Sequence, residues 1–389
     1  MEDKFWETIR EEFPVTREVA YFQSAGMSPI PNRVLKSVTQ AYEKINRYGD
    51  IHFLQDVERS EKLAGKLSGM INTTAENICF AHNTSTAFSF IAAALKQGMP
   101  FDFNLVSLED EFPSTNIPFE FQGIPLKFVK PRDGVYLIED ILDAVDDKTM
   151  GVVCSYVQYS TGFRLDVEKL GLALSEMDLL FMVNATQAFP IYDIDVEKMN
   201  IDVLTVSFHK WGLCGVVGTL FYTSPGFRSM YPNPMAGWLS VVSPEDDFIP
   251  TQKNEIFEQL DHAGQFNFGT MNFQALSGLD TAIDFIHEIG REKIRNRIQF
   301  LTDYLIEALS ELPVKIISPV KHPDQRSAIV LIDLLQGNNA EAVEFLRKNN
   351  VITTIRAGKI RISCNFFNNT AEIDKLAEML ALFCEIEIR

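Results

Sequence analysis

Val203-Leu-Thr-Val-Ser-Phe-His-Lys-Trp-Gly212 is the stretch on which the reading of this chain turns. Its first half is an apolar run that suits a buried strand. Its second half breaks into Ser207, His209 and Lys210 and then reaches glycine. In an open α/β sheet, ligands bind outside the carboxyl ends of the strands. Lys210 therefore stands where such a sheet does its chemistry, and a lysine held there can lose its proton and attack a carbonyl. Taken alone, the same lysine also reads as a solvated cation at a strand end, because lysines are mostly exposed.

Six further apolar runs have the length of strands: Asn77–Ala81, Phe103–Ser107, Leu126–Phe128, Gly151–Ser155, Leu179–Val183 and Gly218–Tyr222. Helical spacing over Ser85–Lys96 and Asp166–Glu176 falls between several of them. Buried runs separated by helices predict a mostly parallel sheet covered on both faces, a three-layer α/β domain. Upstream, residues 1–12 read as a polar helix, Tyr21–Pro31 as an irregular Ser/Gly/Pro-rich loop, and Pro31–Tyr48 as a helix. Downstream, 243–265 is polar and acidic and reads as a long loop, and Phe273–Leu312 is helical with a break at Gly290. From about 313, Ile/Val/Leu strands alternate with helices at Asn339–Lys348 and Thr370–Phe383, a second and smaller α/β unit. The expected division is an N-terminal segment, 1–48, packing with the small domain, a large domain over 49–272, and a small domain over 273–389.

Composition narrows the classes. The 389 residues are 46% hydrophobic and 23% charged, ordinary for a globular chain of two or three domains. The formal net charge of −18 disfavours nucleic acid and anionic membranes as partners. The cysteines, Cys79, Cys154, Cys214, Cys364 and Cys384, are scattered and odd in number, so neither a disulfide framework nor a zinc site is expected and a reducing, cytoplasmic setting fits best. The N-terminus lacks the basic and apolar regions of a signal peptide, and no apolar run approaches the roughly 20 residues that span a bilayer. No GxGxxG after a strand, Walker A loop, HExxH or nucleophile elbow is found.

Two other segments repeat the pattern of a strand ending in polar groups. Phe80-Ala-His-Asn-Thr-Ser-Thr-Ala87 leads into an apolar helix, and backbone N–H groups at a helix start form an anion site to which Thr84 and Ser85 add hydroxyls. The same residue types also make an ordinary N-cap. Leu179-Leu-Phe-Met-Val-Asn-Ala-Thr-Gln187 ends in Asn184 and Gln187, amides that need partners when buried.

These pieces, in this order, resemble the class V aminotransferase family of pyridoxal-phosphate enzymes of fold type I, which includes cysteine desulfurases, kynureninase-like enzymes and C–S lyases. The resemblance runs from Tyr21 to about Met379, and Ser207-Phe-His-Lys210 is its most specific motif. It implies pyridoxal 5'-phosphate held by Lys210 as a Schiff base, with Ser207, His209, Thr84 and Ser85 at the phosphate and Gln187 at the ring hydroxyl. Phe112, in Glu111-Phe-Pro-Ser114, falls where the family stacks a residue on the ring, and plain core packing is its other reading. Phe268-Gly-Thr270 looks like the motif that reaches the neighbouring subunit's phosphate, which implies a homodimer. Ile360-Arg-Ile-Ser363, followed by Asn368-Asn-Thr-Ala-Glu-Ile-Asp374, looks like the C-terminal signature, whose arginine, Arg361, grips the substrate carboxylate. Without the resemblance, Arg361 reads as an exposed strand residue.

The departures carry information. Asn184 stands where the family has an aspartate that keeps the pyridine nitrogen charged, and the amide gives the ring less help as an electron sink. Elimination at Cβ tolerates that loss better than transamination, so one reading is a balance shifted toward elimination; the other is that Asn184 accepts a bond from the ring N–H and activity is normal. Either Gln158 or Tyr159 takes the place of a family asparagine. Where desulfurases carry a nucleophilic cysteine, this chain has Val351-Ile-Thr-Thr-Ile-Arg-Ala-Gly-Lys359, and Cys364 reads as structural. Arg356 reads as an exposed hairpin charge or a second carboxylate contact. The expected activity is thus that of an amino-acid β-lyase (C–S lyase) or an aminotransferase, the alternative being a catalytically weak cofactor-binding protein with a regulatory or assembly role. Side-chain specificity would come from loops such as Ser24–Pro31, Gly49–Phe53 and 230–265, with His52 and Tyr231 as candidates.

Overall fold

The computed structural model describes residues 2–99, 101–243 and 257–388, so that most of the polar segment 243–265 lies outside the described residues. The strands are β1 (Ala20–Tyr21), β2 (Ile78–Ala81), β3 (Asn104–Leu108), β4 (Leu126–Val129), β5 (Thr149–Ser155), β6 (Leu180–Asn184), β7 (Val203–Ser207), β8 (Thr219–Thr223), β9 (Val314–Ile316), β10 (Ile329–Leu334), β11 (Val351–Ile352), β12 (Thr354–Arg356) and β13 (Lys359–Ser363). Seven of them form one sheet in the order β2-β8-β7-β6-β5-β3-β4, and all seven coincide with the apolar runs of the sequence. The sheet is parallel from β4 to β7, while β8 runs antiparallel to both of its neighbours.

Alternation along the strands explains why their middles are largely apolar. Val152, Phe181, Val183, Leu204 and Val206 enter one buried cluster, while Val153, Met182, Val203 and Leu105 enter another. Each face of the sheet thus has its own core, and a strand buried on both faces has no polar position to spare. Helix Thr84–Gly98, capped by Asn83 accepting from the Thr86 N–H at 2.9 Å, covers the second face with Phe88, Ile91 and Leu95. Helix Val167–Glu176, capped by Asp166, covers the first.

The expected break at Gly290 is present. Helix Phe273–Ile289 ends there and helix Arg291–Ser310 begins, with Gly290 at φ 90°, a conformation that glycine adopts without strain. A second sheet, β12-β13-β10-β9, is antiparallel and packs its own core against helices Arg291–Ser310, Asn339–Lys348 and Thr370–Ile388. Glu372 accepts from the Asn369 N–H at 3.1 Å while Asn369 Oδ1 accepts from the Glu372 N–H at 3.0 Å, a reciprocal cap on the last helix. The Asn368–Asp374 signature therefore has a structural role of its own.

The N-terminal segment ties the two sheets together. β1 pairs in parallel with β11, through Ala20↔Val351 and Tyr21↔Ile352. The Ser363 N–H then donates to the Phe22 carbonyl at 2.8 Å, and the Ala25 N–H donates to Ser363 Oγ at 3.0 Å. No helix among the described residues is long and apolar enough to cross a membrane.

Gly171 shows how tightly the helices seat. A Cβ at this position would lie 1.9 Å from the Met199 carbonyl oxygen, which belongs to backbone and cannot swing away. Gly171→Ala is expected to destabilise the fold by about 2 kcal/mol despite alanine's better helix propensity. A fall in the thermal unfolding midpoint checks this, and an unchanged midpoint would contradict the packing.

Candidate active site

The carboxyl ends of five strands converge on one edge of the large sheet. The chain passes from β3 out to β4 and returns to β5 on the other side of β3, so the direction of winding reverses between β3 and β5. A crevice opens at such a switch point. β2 runs antiparallel to β8, which runs antiparallel to β7, so β2 points its carboxyl end the same way. A cavity of about 240 Å³ occupies this edge. Thr84 and Ser85 reach it from the end of β2, Phe112 from β3, Tyr159 from β5, Asn184 and Gln187 from β6, and Ser207, His209 and Lys210 from β7. Ala25 and Gly26 close it from the N-terminal loop, and Arg356 and Arg361 from the small sheet.

Lys210 is only 9% exposed and forms no ion pair with any described residue. Burial pushes its ammonium down to about 7, and the charges of Arg361 and Arg356 push the same way. At neutral pH a large share of Lys210 is therefore an uncharged amine, the form that attacks carbonyls. Its Nζ lies 5.2 Å from the centroid of the Phe112 ring, which meets the Tyr159 ring edge-on. Burial, with the Lys210 charge adding to it, brings His209 down to about 4, which leaves a neutral imidazole.

Hydroxyl groups line the β2–β7 side. Ser207 Oγ hydrogen-bonds with Thr84 Oγ1 and with Thr219 Oγ1, both at 2.8 Å, and the Ser207 N–H donates to Thr186 Oγ1 at 3.0 Å. The opening N–H groups of helix Thr84–Gly98 have no intrahelical acceptor, and Asn83 satisfies that of Thr86. This cradle of hydroxyls and free N–H groups suits an anion without a fixed charge of its own.

The two amides are held from behind. Gln187 Nε2 donates to the Ala25 carbonyl at 3.0 Å, and its Oε1 accepts from the Trp211 indole at 2.7 Å. Asn184 Nδ2 donates to Thr115 Oγ1 at 3.0 Å, and its Oδ1 accepts from the Thr186 N–H at 3.2 Å. Neither side chain can turn without breaking a buried bond.

Arg361 departs most from a bare reading of the sequence. It is 1% exposed, not a surface strand residue. Its Nη1 donates to the Tyr159 carbonyl at 2.7 Å, while Nε and Nη2 are buried with no partner. Unpaired guanidinium N–H groups at a cavity are donors without an acceptor, and a carboxylate accepts from such a pair in bidentate fashion. Arg356 is half-buried and lines the same cavity, so of its two readings the exposed hairpin charge does not hold.

Eight of the sequence candidates thus meet Lys210 in one place. Thr270 does not: it is exposed and lines a separate cleft with Phe53 and Trp238. His52 and Tyr231 also lie away from this cavity. Of the two candidates after β5, Tyr159 lines the cavity, whereas Gln158 Nε2 donates at 2.9 Å to the buried Glu111. Burial pushes Glu111 up to about 6, against hydrogen bonds from Ser155 and Gln158 that lower it. Sequence reasoning missed this Glu111–Ser155–Gln158 cluster and the Trp211 brace, although Trp211 directly follows the lysine.

If burial and the arginines lower Lys210, acylation of Lys210 followed by peptide mass spectrometry is expected to rise with a midpoint near pH 7. Arg361→Leu removes the second cause, so the midpoint moves upward. A wild-type midpoint near that of free lysine would refute this account.

The comparisons with known proteins agree with the geometry. A family model described as aminotransferase class-V matches residues 20–376. A probable cysteine desulfurase of Methanothermobacter thermautotrophicus is 24% identical over 96% of this chain and 97% of its own length. Another, from Pyrococcus abyssi, is 27% identical over 83% of this chain and 80% of its own. Among solved structures, a cysteine desulfurase from Thermococcus onnurineus NA1 superposes with a TM-score of 0.88 at 20% identity, covering 97% of this chain and 98% of that one. The cystine C–S lyase C-DES, in complex with its product cysteine persulfide, superposes with a TM-score of 0.84 at 18% identity, covering 95% of this chain and 99% of that one. A match over nearly the whole length places this chain in the aminotransferase class-V family.

Proposed function

We propose that Lys210 anchors pyridoxal 5'-phosphate in this cavity and that the protein acts on an amino acid as a β-lyase or an aminotransferase. Membership of the family makes the chain a pyridoxal-phosphate-dependent enzyme of the aminotransferase and lyase class. The residues present fit that group. The observation that carries the reading is a buried lysine, with its proton loosened, sharing a small cavity with a buried arginine that has two unpaired N–H groups.

The chain's own groups divide the work. Thr84, Ser85 and Ser207, with the N–H groups opening helix Thr84–Gly98, would hold the phosphate. His209 would stand beside them as a neutral imidazole. Gln187, braced by Trp211, would face the ring hydroxyl, and Phe112 would stack on the ring face. Arg361 would grip the substrate's α-carboxylate. Bound there, the cofactor supplies an electron sink for the carbanion at the substrate's Cα. Lys210 Nζ, once released, sits in the same cavity as that carbon and can take and return its proton.

Two features support a lyase or aminotransferase rather than a desulfurase that carries a persulfide on its own thiol. All five cysteines are buried, and none lines the cavity. Burial pushes the Cys364 thiol well up, the opposite of an activated nucleophile. Asn184, whichever atom meets the ring, brings no charge, which favours elimination over transamination. Thr270, exposed and remote from this cavity, supports a homodimer in which each subunit completes its partner's site. The odd number and scattered placement of the cysteines support a reducing, cytoplasmic setting.

The absorbance spectrum with added pyridoxal phosphate tests the anchor. Wild type is expected to develop a yellow band that Lys210→Ala does not, and a band in neither would remove the cofactor assignment. Amino acids are then screened for pyruvate release and for amino transfer, and a band with neither activity would point to the cofactor-binding alternative. Asn184→Asp is expected to speed the amino-transfer half-reaction about tenfold relative to elimination, a change of about 1.4 kcal/mol in the relative barriers. An unchanged ratio would sink the role given to Asn184.

A further inference from the structure

The hairpin of β12 and β13 carries a feature that binding one carboxylate does not use up. Its register pairs Thr354 with Arg361 and Arg356 with Lys359. Residues two apart on a strand, and residues directly opposite, share a face. Thr354, Arg356, Lys359 and Arg361 therefore stand on one face, with Arg356 and Arg361 as diagonal neighbours, about 7–8 Å apart between Cα atoms. The turn between the strands is only Ala357-Gly358, at φ 47° and 72°, the two-residue turn with both central residues at positive φ. A hairpin closed this tightly has no loop to cover the face, and both arginines line the cavity beside Lys210.

The three cations on that face are treated differently. Lys359 donates to the Asp333 carboxylate, which neutralises it. Arg361 has only the Tyr159 carbonyl, and two of its nitrogens lack partners. Arg356 Nη1 donates to the Ile355 carbonyl at 2.7 Å and approaches Thr354 Oγ1 at 3.4 Å, and no carboxylate among the described residues pairs with it. Among the described residues, no aspartate or glutamate lines the cavity. Two like charges this close are unfavourable unless anions sit between them.

The anions already assigned leave one arginine over. The phosphate cradle on the opposite side is built of hydroxyls and N–H groups. The α-carboxylate of an amino acid occupies the paired N–H groups of Arg361. We propose that Arg356 binds a second anionic group, at the end of the substrate's side chain, so that the preferred substrates are dianionic amino acids ending in a carboxylate or a sulfur oxyacid. This inference rests on the amino-acid-enzyme reading for its α-carboxylate and adds Arg356 as the residue that sets side-chain specificity.

Calorimetric titration of the holoenzyme with propionate, succinate and glutarate tests the clamp without turnover. The better of the two dicarboxylates is expected to bind at least about tenfold more tightly than propionate. Arg356→Leu is expected to bring that ratio close to one, Arg356→Lys to keep part of it, and Arg361→Leu to weaken all three ligands. Titrating L-aspartate, L-glutamate and L-cysteine sulfinate against L-alanine, read by the cofactor's absorbance, then shows whether carboxylate or sulfinate is preferred. Equal affinity for mono- and dicarboxylates in wild type, or a ratio unmoved by Arg356→Leu, overturns the proposal. If Arg356→Leu does not fold, the wild-type ratio decides alone. Failure to form the yellow band defeats the cofactor reading but leaves the dicarboxylate ratio measurable, so the two failures are told apart.

Discussion

A buried lysine and a buried arginine face one cavity in which no carboxylate among the described residues neutralises them, and the rest of the site is arranged around that unfavourable pairing. Removing a cation from water is expensive, and a like charge nearby adds to the expense. Lys210 answers by letting go of its proton, whereas Arg361 keeps its charge, because a guanidinium is protonated across the working range of pH. One group thus becomes a nucleophile and the other a standing anion receptor, and the same field produces both outcomes. In a chain with a formal charge of −18, this is a local positive pocket set in an acidic surround.

Such an arrangement needs a rigid frame. The large sheet supplies it because each face has a separate close-packed core, so the strand ends that carry Thr84, Asn184 and Lys210 cannot drift relative to one another. The hydrogen bonds behind the site continue that rigidity outward. Trp211 fixes Gln187, Thr115 and Thr186 fix Asn184, and Ser155 and Gln158 hold Glu111 beneath Phe112. Polar groups this well satisfied specify one geometry, whereas Arg361, left unsatisfied, marks where the ligand completes it.

Much of this was legible in the chain because it depends on local signals. The seven strands of the large sheet are predominantly apolar, Gly290 interrupts an otherwise continuous helical pattern, and Lys210 follows closely on a buried strand. The site residues at the ends of β2, β6 and β7 inherit their position from those strands, so finding the strands nearly finds them. What stayed hidden depends on pairing across the sequence. The burial of Arg361 requires Tyr159, about two hundred residues away. The position of Arg356 depends on the register of a hairpin with a two-residue turn, and nothing in the apolar pattern sets that register. Glu111 looks like any loop carboxylate until Ser155 is brought against it.

The N-terminal staple carries a consequence for how the protein is made. β1 and the loop after it are synthesised first, yet their partners are Val351, Ile352 and Ser363, near the end of the chain. Ala25 in turn holds Gln187, and the Ser28 N–H donates to the His209 carbonyl at 3.1 Å. On the ribosome the large sheet can form as soon as β8 emerges, but the loop that closes the cavity has nothing to pair with until β13 has been made. Contacts of such long sequence separation form late. During translation Lys210 therefore passes through a stage in which its strand is made and its cavity is open, and closure around the cofactor waits for β13.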